Sequence, residues 1–213
     1  MEDIAIYGAG GLGREIACLI EMINNHSKEW NIIGFFDDGK AIGTATEYGS
    51  VLGGITEVNN WNKDLNIVFG IGSPAILNKL SSTIINPRIT FPNLIAPNTI
   101  ILDNNNIHLG KGNIICSSTI LSCNVTIGDF NILNGQITVG HDVTIGNWNA
   151  LMPAVRISGE VKIGNGNFFG VNSVVLQQVT IGNTTVIGAN SLIIRKTKDG
   201  KTYVGSPAVI THY

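Results

Sequence analysis

The stretch that decides the fold is Ile127–Leu151, IGDFNILNGQITVGHDVTIGNWNAL. Within it an aliphatic residue returns every six positions, at Ile127, Leu133, Val139, Ile145 and Leu151. Followed outward, the spacing starts at Leu109, Ile115 and Leu121 and continues through Ile157, Ile163, Phe169, Val175, Ile181 and Ile187 to Ile193, fifteen hits without an insertion. A period of six suits neither the 3.6-residue turn of a helix nor the alternation of an ordinary strand. It is the signature of a β-helix built from hexapeptides.

A slower period lies beneath it. Gly110, Gly128, Gly146, Gly164 and Gly182 step by 18, as do Asn113, Asn131, Asn149 and Asn167, and Val125, Val143, Val161 and Val179. Eighteen is three sixes, so equivalent positions stack once per three-sided coil, each side being a short strand and its corner. The stepped glycines suit corners that need unusual backbone angles. Fifteen hexads make five coils, a prism roughly 24 Å tall at ~4.8 Å per layer.

Residues 1 to about 92 follow a different pattern. Ile4–Tyr7 is a short apolar run, followed by Gly8-Ala9-Gly10-Gly11-Leu12-Gly13 and a helical face of Ile16, Leu19, Ile20 and Ile23. Asn31–Asp38 reads as a second strand ending in paired acids, and Asn66–Ile71 as a third, with Ser73-Pro74 suited to a helix start. Alternating strands and helices imply a small parallel sheet of mononucleotide-binding type, with room for about half of a dinucleotide fold. The expected domains are therefore 1–92, Rossmann-like, and 93–213, a β-helix with a C-terminal tail.

Bulk properties narrow the function. Charged residues are 13% of the chain and hydrophobic ones 44%, a balance that excludes disorder and suits burial against copies of itself. A formal charge of −2 gives no footprint for nucleic acid. No apolar run reaches the ~18 residues of a membrane span and the start lacks a signal-peptide pattern. Cys18, Cys116 and Cys123 lack metal-ligand spacing and read as reduced thiols, so the expected location is the cytoplasm.

Taken in order, these motifs are Gly-Ala-x-Gly-x-Gly, an acidic pair after the second strand, hexads, a His-Asp corner, and Val204-Gly205-Ser206-Pro207-Ala208. That order resembles the sugar acyltransferases of the sialic acid O-acetyltransferase and bacillosamine N-acetyltransferase group, over nearly the whole chain. The resemblance implies a left-handed β-helix, a homotrimer, and acetyl-CoA as co-substrate in the groove between neighbouring prisms. It also implies that the amino-terminal half-fold binds the nucleotide of a nucleotide sugar rather than NAD. The spacing alone shows only a three-sided coil.

Acyl transfer from a thioester needs a base for the nucleophile's proton and donors for the developing oxyanion. His26 lies after the first helix, His212 near the C-terminus, and His108 just before Leu109. His141 sits two residues past Val139, at the corner phase, so its ring is expected to project outward. A free imidazole titrates near ~6.5, which suits a base at neutral pH. His141-Asp142 matches the family's His-Asp/Glu corner, whose histidine is the proposed base; Asp142 would raise its basicity if its side chain reaches the ring.

The remaining site residues come from the likeness. Asn134 matches an asparagine near the thioester, though turn geometry alone would also account for it. Gly159 matches a position whose backbone N–H is thought to hold the acetyl carbonyl, and Val171 and Ala189 fall at contacts to the pantetheine arm. Ala150 departs from relatives that carry a second histidine there. Gly10, Gly11, Leu12, Asp37, Asp38 and Gly72 would contact the nucleotide sugar. For the loop the physical use is N–H groups exposed to a phosphate at a helix start; for the acids it is a hydrogen bond to ribose or base, with a solvated turn as the competing reading.

The expectation is an acetyl-CoA-dependent N-acetyltransferase acting on a UDP-type amino sugar, without metal. O-acetylation of sialic acid or another sugar hydroxyl is the alternative within the class. A zinc lyase would need three converging histidines, and His108 and His141 stand 33 residues apart, not a multiple of six. A non-catalytic nucleotide-binding scaffold would bind UDP without turning over acetyl-CoA.

Overall fold

The computed structural model describes residues 1–211; His212 lies outside them. The chain begins with β1 (Glu2–Tyr7), whose last four residues are buried, as a central parallel strand requires. It continues through α1 (Gly11–His26), β2 (Trp30–Phe36), β3 (Ala45–Thr46), β4 (Gly49–Gly53), α2 (Ile55–Asn59), β5 (Leu65–Phe69), α3 (Pro74–Thr83) and β6 (Ile89–Thr90). Ile16, Ala17, Leu19, Ile20 and Ile23 form the buried face of α1, and Pro74 opens α3. The sequence missed β3, β4 and α2, because no periodicity of apolar residues marks that segment.

The strands lie in the order β3-β4-β2-β1-β5-β6. The chain moves one way from β1 to β2 and the other way to β5, so the β1–β5 boundary is the switch point, where ligands bind beyond the strand ends. Here Gly8, Gly13 and Gly70 meet backbone to backbone: a Cβ on Gly70 would lie 2.6 Å from the Gly13 Cα, and one on Gly8 2.7 Å from the Gly70 oxygen. These glycines are needed for the packing of loop on loop.

The first strand of the left-handed β-helix, Leu94–Ile95, follows directly. Three parallel sheets form its sides. The first face runs from Leu94–Ile95 to Thr202–Gly205, the second from Ile100–Ile101 to Leu192–Ile193, and the third from Ile107–Leu109 to Thr180–Ile181. The pairing steps by 18, as in Ile120 with Thr138 and Thr138 with Arg156. The opening coil differs: Leu94 pairs with Ile114 and Ile100 with Ile120, a step of 20. Two extra residues are taken up by a turn at Asp103–Asn106, closed by an Asn106 Nδ2 bond of 2.7 Å to the Asp103 carboxylate. The hexads thus start at Ile95 rather than Leu109, and the seven parallel rungs of the first face span about 29 Å at ~4.8 Å each. The top is closed by an antiparallel hairpin, Thr202–Gly205 with Ala208–Thr211, which lays Ala208 and Ile210 over the core.

The corner glycines have another purpose than the one expected. Positive φ falls at six-residue intervals from Gly112 to Asn190, on Ser118, Asn124, Phe130, Gln136, Asp142, Trp148, Ala154, Glu160, Asn172, Gln178 and Thr184 between, with Gly166 completing the series. The glycines that step by 18 are not among them. A Cβ on Gly128, Gly146 or Gly164 would strike the side-chain oxygen of Asn147, Asn165 or Asn183 in the next coil. Each of those oxygens accepts a backbone N–H one rung below, for instance Asp129 N–H to Asn147 Oδ1 at 2.7 Å. Inside the prism, Asn113, Asn131, Asn149 and Asn167 form a fully buried column, each amide above Asn113 donating to the one below at 2.9–3.0 Å.

The N-terminal domain covers the first face. Leu94 and Ile114 pack against α1, and Ile132 and Phe130 against Phe69 and Leu80, with the Phe69 and Phe130 rings 5.7 Å apart. Trp148 Nε1 donates to Ser81 Oγ of α3 at 2.9 Å. This contact orders the two halves around the sites that follow.

Candidate active site

His141 follows the second-face rung Thr138–Val139 and stands at the corner between the second and third faces. Its side chain is 48% exposed, so the ring projects outward. Nδ1 lies 2.8 Å from Asp142 Oδ2, which fixes Nδ1 as the protonated nitrogen beside an ionised carboxylate and leaves Nε2 with its lone pair free. Asp142 is held in turn: its Oδ1 accepts from Asn124 Nδ2 at 2.6 Å. The Asn124 amide, and after it the His141 ring, keep the Asp142 carboxyl below the usual carboxylate range.

Gly159 lies one coil above His141. A Cβ there would sit 2.5 Å from His141 Nε2 and 2.6 Å from Cε1, so the missing side chain makes the seat on which the ring rests. Its N–H has no hydrogen-bond acceptor among the described residues, whereas the neighbouring Ser158 and Glu160 amides are both paired. A ring nitrogen and a backbone N–H without an acceptor among the described residues are therefore adjacent. Beside them a cleft of 410 Å³ is lined by Asp142, Glu160, Lys162, Gln178 and Thr180. Gln177 and then Gln178 hold the Glu160 carboxyl low.

Asn134, Val171 and Ala189 fall elsewhere. All three follow first-face rungs and stand at the corner between the first and second faces. Asn134 Oδ1 accepts the N–H of Gly135 at 2.7 Å, the turn contact that geometry alone requires, while Val171 is 47% exposed. Six residues at ~3.3 Å make each side of the prism at most about 20 Å long. In one chain the two groups are thus separated by the whole second face.

A separate cavity of 710 Å³ opens at the switch point of the N-terminal sheet, lined among others by Tyr7, Gly8, Gly10, Asp37, Asp38, Ile71 and Lys79. Nothing lies within 4 Å of a Cβ built on Gly10 or Gly11, so this face of the loop is open. The first turn of α1 has no side-chain cap and no acid, which leaves its N–H groups facing outward as anion donors. Leu12 and Gly72 meet each other beside the cavity, 3.7 Å from a Gly72 Cβ to the leucine.

The acidic pair does more than end a strand. Asp37 accepts from Ala9 N–H and Gly39 N–H, both at 2.8 Å, lashing the glycine loop to β2. Asp38 accepts from Tyr7 Oη at 2.6 Å and from the Ile55 N–H at the start of α2 at 2.9 Å. Burial, and then this bond to Asp38, push the Tyr7 phenol far up, so it remains a donor. Tyr7, Lys79 and Asn124 escaped the sequence reading. Asn124 was within reach of it, since it is Asp142 less one coil.

Comparison with known proteins fits this picture. The PglD N-terminal domain matches residues 3–84 and the bacterial transferase hexapeptide matches residues 160–195, together more than half of the chain. No curated protein matches the sequence. Among solved structures, PerB from Caulobacter crescentus, in complex with CoA and GDP-perosamine, is similar at 25% identity and a TM-score of 0.88, over 100% of this chain and 98% of that one. WeeI from Acinetobacter baumannii is similar at 25% identity and 0.88, over 99% and 100%. The acetyltransferase domain of PglB from Neisseria gonorrhoeae, in complex with acetyl coenzyme A, shares the fold at 24% identity and 0.88, over 99% of both chains. The chain thus carries a PglD N-terminal domain followed by a bacterial transferase hexapeptide region, in that order.

Proposed function

We propose that the protein transfers an acetyl group from acetyl-CoA to the amine of a nucleotide-linked amino sugar, with His141 as general base. The observation that carries the reading is the His141 ring, outward at a corner, oriented by Asp142 at 2.8 Å and seated beside an unpaired Gly159 amide. His141 Nε2 takes the proton as the amine attacks the thioester carbonyl. The Gly159 N–H steadies the oxyanion, and collapse expels the thiolate of CoA. Transfer runs directly from the thioester to the amine, without an acyl-enzyme. Asp142 retains its charge through the cycle and stabilises the imidazolium.

The working unit is a homotrimer. The corner with His141 is opposite the first face, which the N-terminal domain covers, so a sugar in the switch-point cavity faces away from its own chain's base. Asn134, Val171 and Ala189 stand at the corner beside that domain. A neighbouring prism brings its His141 corner to this one, and acetyl-CoA lies in the groove between, along Val171 and Ala189. The second face supports such packing: Ile100, Leu176 and Ile194 are exposed by 50%, 41% and 39%, while the third face presents His108, Thr126, Thr144 and Lys162.

In the N-terminal cavity the α1 amides from Gly10 to Leu12 hold the diphosphate, while Asp37, Asp38 and Gly72 border the nucleoside. PerB binds GDP-perosamine; here a UDP-linked 4-amino or similar sugar is the first substrate to try. A thiol-release assay with acetyl-CoA and UDP-, GDP- and dTDP-linked amino sugars, read by product mass, tests the reading. An N-acetylated product is expected. Acetylation of sialic acid alone would move the reading to O-transfer, and nucleotide binding without thiol release would leave a scaffold. Among the described residues, no helix is long and apolar enough to cross a membrane.

A further inference from the structure

We propose that Asn124 is a positioning residue for the base: from one coil below, it fixes the Asp142 carboxylate so that His141 keeps its proton on Nδ1 and its lone pair on Nε2. The inference rests on the reading of His141 as base.

Three observations carry it. The contacts form one chain, Asn124 Nδ2 to Asp142 Oδ1 at 2.6 Å and Asp142 Oδ2 to His141 Nδ1 at 2.8 Å, so the two oxygens of one carboxylate are gripped from two coils. Asp142 is about half exposed, and a free carboxylate there would rotate and hydrate. One hydrogen bond to the ring does not fix its plane; a second, to the other oxygen, does. Finally, the corner position itself does not demand asparagine. Residue 124 has φ 56°, and equivalent corners along the prism hold Ser118, Phe130, Trp148, Ala154 and Thr184 at similar angles. Backbone geometry leaves the choice open, and the contact with Asp142 closes it.

The surroundings also account for the direction of coupling. Facing the ring are Asp142 on its own corner, Glu160 one coil up, and Lys162 across the cleft, with Cys123 below. Glu160 is committed to Gln177 and Gln178 at 3.0 and 3.1 Å, so it is not free to replace Asp142 at Nδ1. Held by Asn124, Asp142 stays against the ring and favours the imidazolium that forms during transfer. Released, it leaves the ring free to turn over and present the protonated nitrogen to the amine.

The experiment compares wild type with Asn124→Gly, which removes the amide without straining a left-handed corner, and Asn124→Asp, which keeps the shape but replaces the donor by a like charge against Asp142. Steady-state rates are taken across pH, and the His141 ring is titrated by NMR in each protein. For Asn124→Gly we expect kcat roughly tenfold lower, an unchanged KM for acetyl-CoA, an unchanged melting temperature, and a His141 midpoint moved to lower pH. For Asn124→Asp, which loses the donor and sets a second carboxylate against the Asp142 oxygen now bonded at 2.6 Å, kcat is expected to fall at least as far. A residue that only shapes the corner would tolerate aspartate, which has the same shape. Wild-type kcat and midpoint in Asn124→Gly, or wild-type kcat in Asn124→Asp, would overturn the proposal. A wild-type protein that acetylates no nucleotide-linked sugar would instead remove the transferase reading, and the ring titration would still decide whether Asn124 orients Asp142.

Discussion

Replacing Gly159 by alanine puts a methyl group where the His141 ring lies. The backbone at Gly159 does not have a positive φ, so alanine is allowed there, and the consequence is confined to the contact. The new carbon would start 2.5 Å from Nε2 and 3.0 Å from Cδ2, distances that side chains do not tolerate. The ring must swing outward by roughly 1 Å to reach ordinary contact near 3.5 Å. Its tether to Asp142, 2.8 Å long, resists that movement. The rotation costs on the order of 1 kcal/mol as an off-rotamer side chain. Most of that cost falls on a half-exposed ring, so the melting temperature is expected to stay within about 2 °C of wild type. Catalysis is less forgiving: displacing a base by about 1 Å removes roughly 10²-fold in kcat. The assay is thiol release at saturating sugar and acetyl-CoA, beside a thermal melt. Gly159→Ala retaining near-normal kcat would refute the claim that the glycine exists to seat the ring.

Other substitutions separate the parts of the site. His141→Ala is expected to lower kcat by roughly 10²-fold or more with an unchanged melt, and near-normal turnover would remove His141 as the base. Asp38→Ala breaks the bonds to Tyr7 and to the Ile55 N–H; it is expected to raise KM for the nucleotide sugar more than for acetyl-CoA, and equal effects on both would count against a nucleotide site there. Arg195 follows Ile193 as His141 follows Val139, three rungs higher on the same corner, about 14 Å along the axis at ~4.8 Å per rung. That distance is comparable with the reach of an extended pantetheine arm, so Arg195→Ala is expected to raise KM for acetyl-CoA several-fold and leave sugar KM alone; an unchanged acetyl-CoA KM would place the phosphates elsewhere.

Much of the fold was legible because the period is written in the covalent chain. Leu133, Val139 and Ile145 must share an interior if the coil has three equal sides, and the structure has them in one core. The His-Asp corner was legible for a similar reason, since neighbours at a corner need no long-range pairing to meet. What was lost came from breaks in regularity and from contacts across rungs. Two extra residues near Asp103 hid Ile95 and Ile101 from a strict count of six. The stepped glycines invited a reading from backbone freedom, whereas their cause is a side chain one coil away, such as Asn147 against Gly128. The Asp37-Asp38 pair showed its charge in the sequence but not its partners, Ala9 and Tyr7, which only the packing of β1 beside β2 brings near.

The buried asparagine column has a consequence for how the coil finds its winding. To a chain of near-identical hexads, slipping one strand by six residues costs little, because one aliphatic side chain replaces another. Such a slip would slide Asn113 or Asn131 from its amide partner to lie beneath Ile137 or Val155, which occupy the equivalent inward position on the next side. Each orphaned amide would forfeit about 1–3 kcal/mol in a dry interior. The column therefore works as a key cut into an otherwise uniform bar, admitting one alignment of successive coils. Since His141, Gly159 and Asn124 belong to three successive coils, an error of a single side would scatter them to different edges.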